Sequence, residues 1–122
     1  MNHTLAIIKP DAVGSGNAGK IIAHLENSGF SIKAIRLAVL NREQAGAFYS
    51  VHEGKPFYKG LVDFMTSGPV MPMVLEADAA VEKLRGVIGA TDPAEAAEGT
   101  VRNLYAESKG RNAIHASDSD EN

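Results

Sequence analysis

Apolar and polar positions alternate along the chain in blocks that change period, and the blocks predict alternating strands and helices. Thr4 to Ile8 is a short β-branched and apolar run, and Pro10 then withdraws a backbone donor, so the chain opens on a buried strand. The stretch GSGNAG reads as a loop. Ile21, Ile22 and Leu25 recur at helical spacing, with Gly29 where a left-handed cap would stand, predicting a helix over 18–28. Phe30, Ile32 and Ala34 alternate, then Ile35, Leu37 and Val39 do so one residue out of phase, as a bulged strand would. Asn41 and Gln44 have capping-box spacing and start a helix running to about Val51. Lys55-Pro56 breaks it, and 57–65 is again amphipathic. Ser67-Gly68-Pro69 makes a turn, 70–75 is a second buried strand despite Pro72, and Asp78 caps a helix to about Arg85. From Gly86 to Asn112 the pattern is mostly loop, with one short helix opened by Asp92-Pro93. A long irregular stretch in so small a domain is usually functional.

Strands separated by helices in a short chain predict an α+β fold, a mainly antiparallel sheet with helices packed on one face, in the βαββαβ order called ferredoxin-like. With 122 residues the chain forms one domain, 1–122.

Composition narrows the function classes. Hydrophobic residues make up 44% and charged residues 22%, ordinary values that exclude a disordered or fibrous chain. The longest apolar runs fall far short of the roughly 20 residues that cross a bilayer, and Lys9 comes too early for a secretory leader, so a cytoplasmic address with no membrane contact is expected. Without cysteine, disulfides, thiolate metal sites and cysteine nucleophiles are excluded. A net charge of -3 argues against nonspecific nucleic acid binding, so an anionic ligand must be met by local cations.

Two motifs compete for the chemistry. Gly14, Gly16 and Gly19 fit G-x-G-x-x-G, and Gly14 with Gly19-Lys20 nearly fits a P-loop. Both fail, because Ile21 stands where the P-loop needs a hydroxyl for magnesium and Pro10 interrupts the strand that should lead into the glycines. Of the four histidines His3, His24, His52 and His115, the last differs in its neighbours. An apolar pair, Ala113-Ile114, precedes it, and Ala116-Ser117-Asp118 supplies hydroxyl and acidic groups after it. A neutral imidazole is a competent nucleophile near pH 7, and its phosphoramidate keeps a high transfer potential, which suits reversible phosphate exchange.

The runs Ile8-Lys9-Pro10-Asp11, 55–58 (KPFY), 64–70 (FMTSGPV), 89–93 (GATDP), 98–102 (EGTVR) and 112–118 (NAIHASD) together resemble the nucleoside diphosphate kinases, in that family's order and spacing. The resemblance implies a ping-pong enzyme in which His115 accepts the γ-phosphate of a nucleoside triphosphate, typically ATP, and passes it to a nucleoside diphosphate. It further implies Lys9 at the transferring phosphate and the ribose hydroxyl, and Arg85, Thr91 and Arg102 on the phosphates. Asn112 would bind the ribose and Phe57 would stack on the base, with Tyr49 and Ser117 completing the pocket. Magnesium would be held through the phosphates, with no direct protein ligand. Homo-oligomers built from dimers, tetrameric or hexameric, are implied too. Each residue also has an ordinary structural use: Lys9 as a solvated strand end, Phe57 and Tyr49 as core aromatics, Arg85 as the cation at a helix C-terminus and Thr91 as a cap.

Members of that family continue some twenty residues past the equivalent of Asn122, into a helix and tail that include a glutamate orienting the histidine. Ser117 to Glu121 has the spacing of a helix start, so the expectation is a domain lacking that helix. The alternative is a nucleotide-binding or regulatory module of the same fold with impaired transfer.

Overall fold

The computed structural model describes residues 2–48, 53–56, 58–108 and 112–116. Four strands, β1 (His3–Ile8), β2 (Ser31–Ile35), β3 (Met71–Glu76) and β4 (Ile114–Ala116), form one sheet in the order β2-β3-β1-β4, each neighbour antiparallel. Helices α1 (Pro10–Gly14) and α2 (Ala18–Asn27) join β1 to β2, and α3 (Arg42–Phe48) and α4 (Tyr58–Met65) join β2 to β3. α5 (Ala80–Ile88) and α6 (Val101–Tyr105) then lead to β4. This is the ferredoxin-like βαββαβ arrangement with extra short helices.

The two faces of the sheet bury different residues. Ala6 and Ile8 of β1 pack with Met73, Leu75 and Ile114 against Ile21 and Leu25 of α2 and Leu84 and Ile88 of α5. Ile7, of opposite parity, packs on the other side with Ala45 of α3, Val62 and Met65 of α4, and Val70. The helices are therefore not confined to one face, as the pattern suggested: α3 and α4 cover part of the second. Large side chains closed completely from solvent each contribute about 1.5–3 kcal/mol. Most of them lie in the α2/α5 layer, so that layer dominates stability.

Local chemistry explains the element ends. Asn41 and Gln44 form the predicted box, the Gln44 N–H donating to Asn41 Oδ1 at 2.8 Å and the Asn41 N–H to Gln44 Oε1 at 3.0 Å. Gly29, at φ 101°, lets the Phe30 N–H return to the Leu25 carbonyl at 3.1 Å and close α2. The slip of phase in β2 is a register shift between Ile32 and Ala34. Pro72 is accommodated in an inner strand because its carbonyl, on the same side as its missing N–H, accepts from Arg36, past the end of β2 where the ladder is ending.

Several expectations change. Pro10 opens α1 as well as closing β1, since proline suits the first helical turn, and the GSGNAG stretch is loop over only part of its length. Asp78 is not the cap of α5: Ala79 stands there at φ 50° with no side-chain bond, and the helix continues past Gly86 to Ile88 because Val81, Leu84 and Ile88 share a buried face. Asp92-Pro93 opens a turn, not a helix, in which Asp92 Oδ1 accepts from the Ala94 N–H at 3.0 Å. The short helix of this region is α6, capped by Thr100. Val51 and the helix signal at Ser117 to Glu121 lie outside the described residues.

Candidate functional site

The site forms where the end of β1, the loop after α5, α6 and the start of β4 converge. Lys9 follows β1 directly, and its Nζ donates to Asn112 Oδ1 at 2.8 Å. Asn112 spends its amide nitrogen on the Thr91 carbonyl at 3.2 Å. Arg102, on α6, reaches both neighbours: one terminal nitrogen donates to the Gly89 carbonyl at 3.1 Å and the other to the Ile114 carbonyl at 2.7 Å. These bonds tie Lys9 and Thr91 to Asn112, and Arg102 to Gly89 and Ile114, so that four separate stretches of sequence meet in one network.

Beside this network lies a cleft of about 410 Å³ lined by Arg85, Gly89, Thr91, Thr100 and Arg102 among others. Gly89 allows the loop to pass this close to α6, for at its φ of 90° a Cβ would lie 2.5 Å from Thr100 Oγ1. Thr100 in turn caps α6 by accepting from the Asn103 N–H.

The charges of the cluster oppose one another. Burial, then the Arg102 charge, push the Lys9 ammonium from its ordinary 10.5 down to about 8, with Asp11 acting in the opposite direction. Burial and the neighbouring Arg85 lower Arg102 to about 10. Arg102 Nε is buried and bonds to no protein acceptor. Cations gathered at a cost, with a buried donor to spare, suit an anionic ligand that would repay both.

A stability consequence follows for Lys9. Its folded pKa lies below its unfolded value, so between about pH 8 and 10.5 the unfolded chain holds the proton and the folded chain does not, and stability rises with pH across that window. Urea titrations of the protein and of Lys9→Met at pH 7.5 and pH 10 should show the wild type gaining on the variant, by on the order of 3 kcal/mol at most. A gap independent of pH would show that Lys9 carries no such burden.

His115 stands on β4, paired with Ile7 in the β1 register, while its neighbours Ile114 and Ala116 are buried in the α2/α5 layer. Alternation turns the half-buried imidazole to the opposite face, one residue beyond the carbonyl that Arg102 grips. Of the residues named from sequence, Lys9, Arg85, Thr91, Arg102, Asn112 and His115 all fall at this end of the sheet. Tyr49, Phe57 and Ser117 lie outside the described residues. Asp11, Gly89 and Thr100 carry no role in the sequence reading. All three lie inside recognised blocks, but what Asp11 and Gly89 touch depends on chain brought from elsewhere. Among the described residues no three His, Cys, Asp or Glu side chains are grouped to hold a metal ion, and no helix is long and apolar enough to cross a membrane.

A βαββαβ sheet with a cationic cleft and a histidine on its edge strand β4 defines a narrow class of candidates, and comparison with known proteins resolves it. The sequence profile of the family described as nucleoside diphosphate kinase matches residues 2–122. A nucleoside diphosphate kinase of Chlorobium chlorochromatii is 57% identical over 122 residues, covering 100% of this chain and 87% of that protein. One of Chlamydia caviae is 53% identical, covering 100% and 86%. The crystal structure of the Aquifex aeolicus nucleoside diphosphate kinase superposes with a TM-score of 0.96 at 46% identity, over 98% of this chain and 87% of that one. A halophilic nucleoside diphosphate kinase from Halobacterium salinarum, in complex with CDP, gives 0.94 at 40%, over 99% and 80%. The chain belongs to the nucleoside diphosphate kinase family, a family of nucleotide phosphotransfer enzymes.

Proposed function

We propose that this protein transfers the γ-phosphate of a nucleoside triphosphate, typically ATP, to a nucleoside diphosphate through phospho-His115, and so maintains triphosphate pools. The observation that carries the reading is the cluster of buried Lys9 and Arg102 with exposed Arg85 beside them, at the end of the sheet that carries the histidine: Arg102 lowers the proton affinity of Lys9, and Arg85 that of Arg102. In the first half-reaction an imidazole nitrogen of His115 attacks the γ-phosphorus. The bond to the bridging oxygen breaks, and the diphosphate leaves with the electron pair. In the second, the terminal oxygen of another diphosphate attacks, the P–N bond breaks and the imidazole is regenerated.

Charge in such a transition state spreads over the equatorial oxygens, so positioned cations do most of the catalysis. Arg85, Thr91 and Arg102 would hold the phosphates, Lys9 would meet the transferring group and the ribose, and Asn112 would meet the ribose. Phe57 would stack on the base, a contact that suits any base. Tyr49 and Ser117 would close the pocket. Magnesium would arrive on the nucleotide and neutralise its phosphates.

A cytoplasmic homo-oligomer built from dimers belongs to the same proposal. Its support is the free edge of β2, where Ile35 and, just beyond, Leu37 and Val39 are exposed. A single nucleoside diphosphate kinase domain over 1–122 is proposed likewise. The alternative of a module that binds without transfer finds no support among the relatives, which are named as kinases.

The test is to incubate the protein with γ-labelled ATP and magnesium, then add unlabelled GDP. An acid-labile, alkali-stable protein label that GDP removes as GTP supports the reading. Binding of ATP with no transferable label overturns it.

A further inference from the structure

Ala113 is where two parts of the site meet, and its backbone is in an unfavourable conformation. Its φ is 73°, a left-handed value that costs a residue bearing a Cβ about 1–3 kcal/mol. The next amide folds straight back, the Ile114 N–H donating to the Asn112 carbonyl at 2.8 Å, which makes 112–114 a γ-turn of the rare positive-φ kind. Strain of this sort persists when the surroundings over-determine it.

Both polar groups of the Ala113 backbone are held by the segment that carries Lys9. The Lys9 N–H donates to the Ala113 carbonyl at 2.8 Å, and the Ala113 N–H donates to Asp11 Oδ2 at 3.0 Å, across 102 residues of sequence. Asp11 is buried, and its second oxygen, Oδ1, bonds to no protein donor. A carboxylate placed there for packing alone would be costly. Its position makes sense as a backbone acceptor and as a counter-charge to Lys9.

The geometry points to Asp11 as a positioning residue of the transfer reaction: its carboxylate holds the γ-turn at Ala113, which sets Asn112 and His115 on either side, and its charge supports the Lys9 ammonium. This rests on the phosphotransfer reading. Asp11 acts through Ala113 and Lys9 and need touch no substrate. Its influence on Lys9 shows in the lysine's proton affinity, which Asp11 raises against burial and Arg102.

Three variants test it by single-turnover phosphorylation of His115, its pH profile, thermal melts and hydrogen exchange at the Ala113 amide. Asp11→Ala should slow phosphorylation by about 10- to 100-fold, the cost of a small misplacement of reacting groups, and should speed exchange at Ala113. Asp11→Asn keeps an acceptor for that amide, so exchange stays slow, while the alkaline limb of the profile moves to lower pH because the charge favouring protonated Lys9 is gone. Adding Ala113→Gly to Asp11→Ala should recover part of the rate, since glycine takes φ 73° without the Cβ penalty.

An Asp11→Ala enzyme with the wild-type rate overturns the proposal, as does a double variant no faster than Asp11→Ala, or an Asp11→Asn profile unmoved on its alkaline side. Should Asp11→Ala not fold, the Asp11→Asn profile decides alone. A wild-type chain that never labels overturns the phosphotransfer reading instead, and exchange at Ala113, which needs no activity, tells the two failures apart.

Discussion

Alanine at position 115 is expected to abolish the protein label from γ-labelled ATP and to reduce steady-state transfer on the order of 10⁴-fold or more, because a covalent route has no substitute for its nucleophile. The same change should leave stability within about 1 kcal/mol. His115 is half-buried on a strand whose adjacent residues, Ile114 and Ala116, carry the packing, and its pairing with Ile7 is made by backbone that alanine keeps. Loss of activity with an intact melt would therefore place the defect in chemistry. A variant that still labels would move the nucleophile elsewhere, and a variant that no longer folds would give the imidazole a structural role that this register does not suggest.

Much of the fold was legible because the decisive signals were local. Asn41 and Gln44 cap α3 through bonds that need nothing beyond four consecutive residues, and the slip of phase around Ala34 in β2 is visible in the alternation itself. Signals set by distant chain were lost. Asp78 has the right chemistry for a cap, yet the connection from β3 into α5 places Ala79 at the helix start with a left-handed φ of 50°, and tertiary geometry overrode propensity. Gly86 looked like a stop, but it is exposed and open, and burial of Leu84 and Ile88 carries the helix through it. That α3 and α4 lie across the sheet from α2 and α5 follows from the parity of Ile7 against Ile8, a distinction that a continuous apolar run conceals.

The site divides in the same way. Residue types could be named from motif blocks, but the contacts joining Lys9 to Asn112 and Arg102 to Ile114 span 103 and 12 residues, and no periodicity reports them. Asp11 was passed over for this reason. Within its block it is one more polar residue after a proline, and its meaning comes from Ala113, whose left-handed φ no alanine advertises.

The two arginines should separate under mutation although both line the same cleft. Arg102 is buried, ties the Gly89 loop to β4 through two carbonyls, and has its proton affinity lowered by burial and by Arg85. Arg102→Ala leaves those carbonyls without a donor, and hydrogen bonds to charged groups contribute about 1.5–3 kcal/mol each; the cost of keeping a cation buried offsets part of this, so a loss of about 2–4 kcal/mol is expected. Transfer should fall at least about 100-fold as well, as when a positioned donor to a developing anion is removed. Arg102→Lys should recover little of either, because a single ammonium cannot serve two carbonyls with fixed fork geometry. Arg85 is exposed at the end of α5, so Arg85→Ala should lower the rate while its melt stays close to wild type. Thermal melts and single-turnover rates measured together decide the matter. If Arg102→Ala melts like the wild type, its bonds to Gly89 and Ile114 carry no net stability, and burial at this position is kept for phosphate alone.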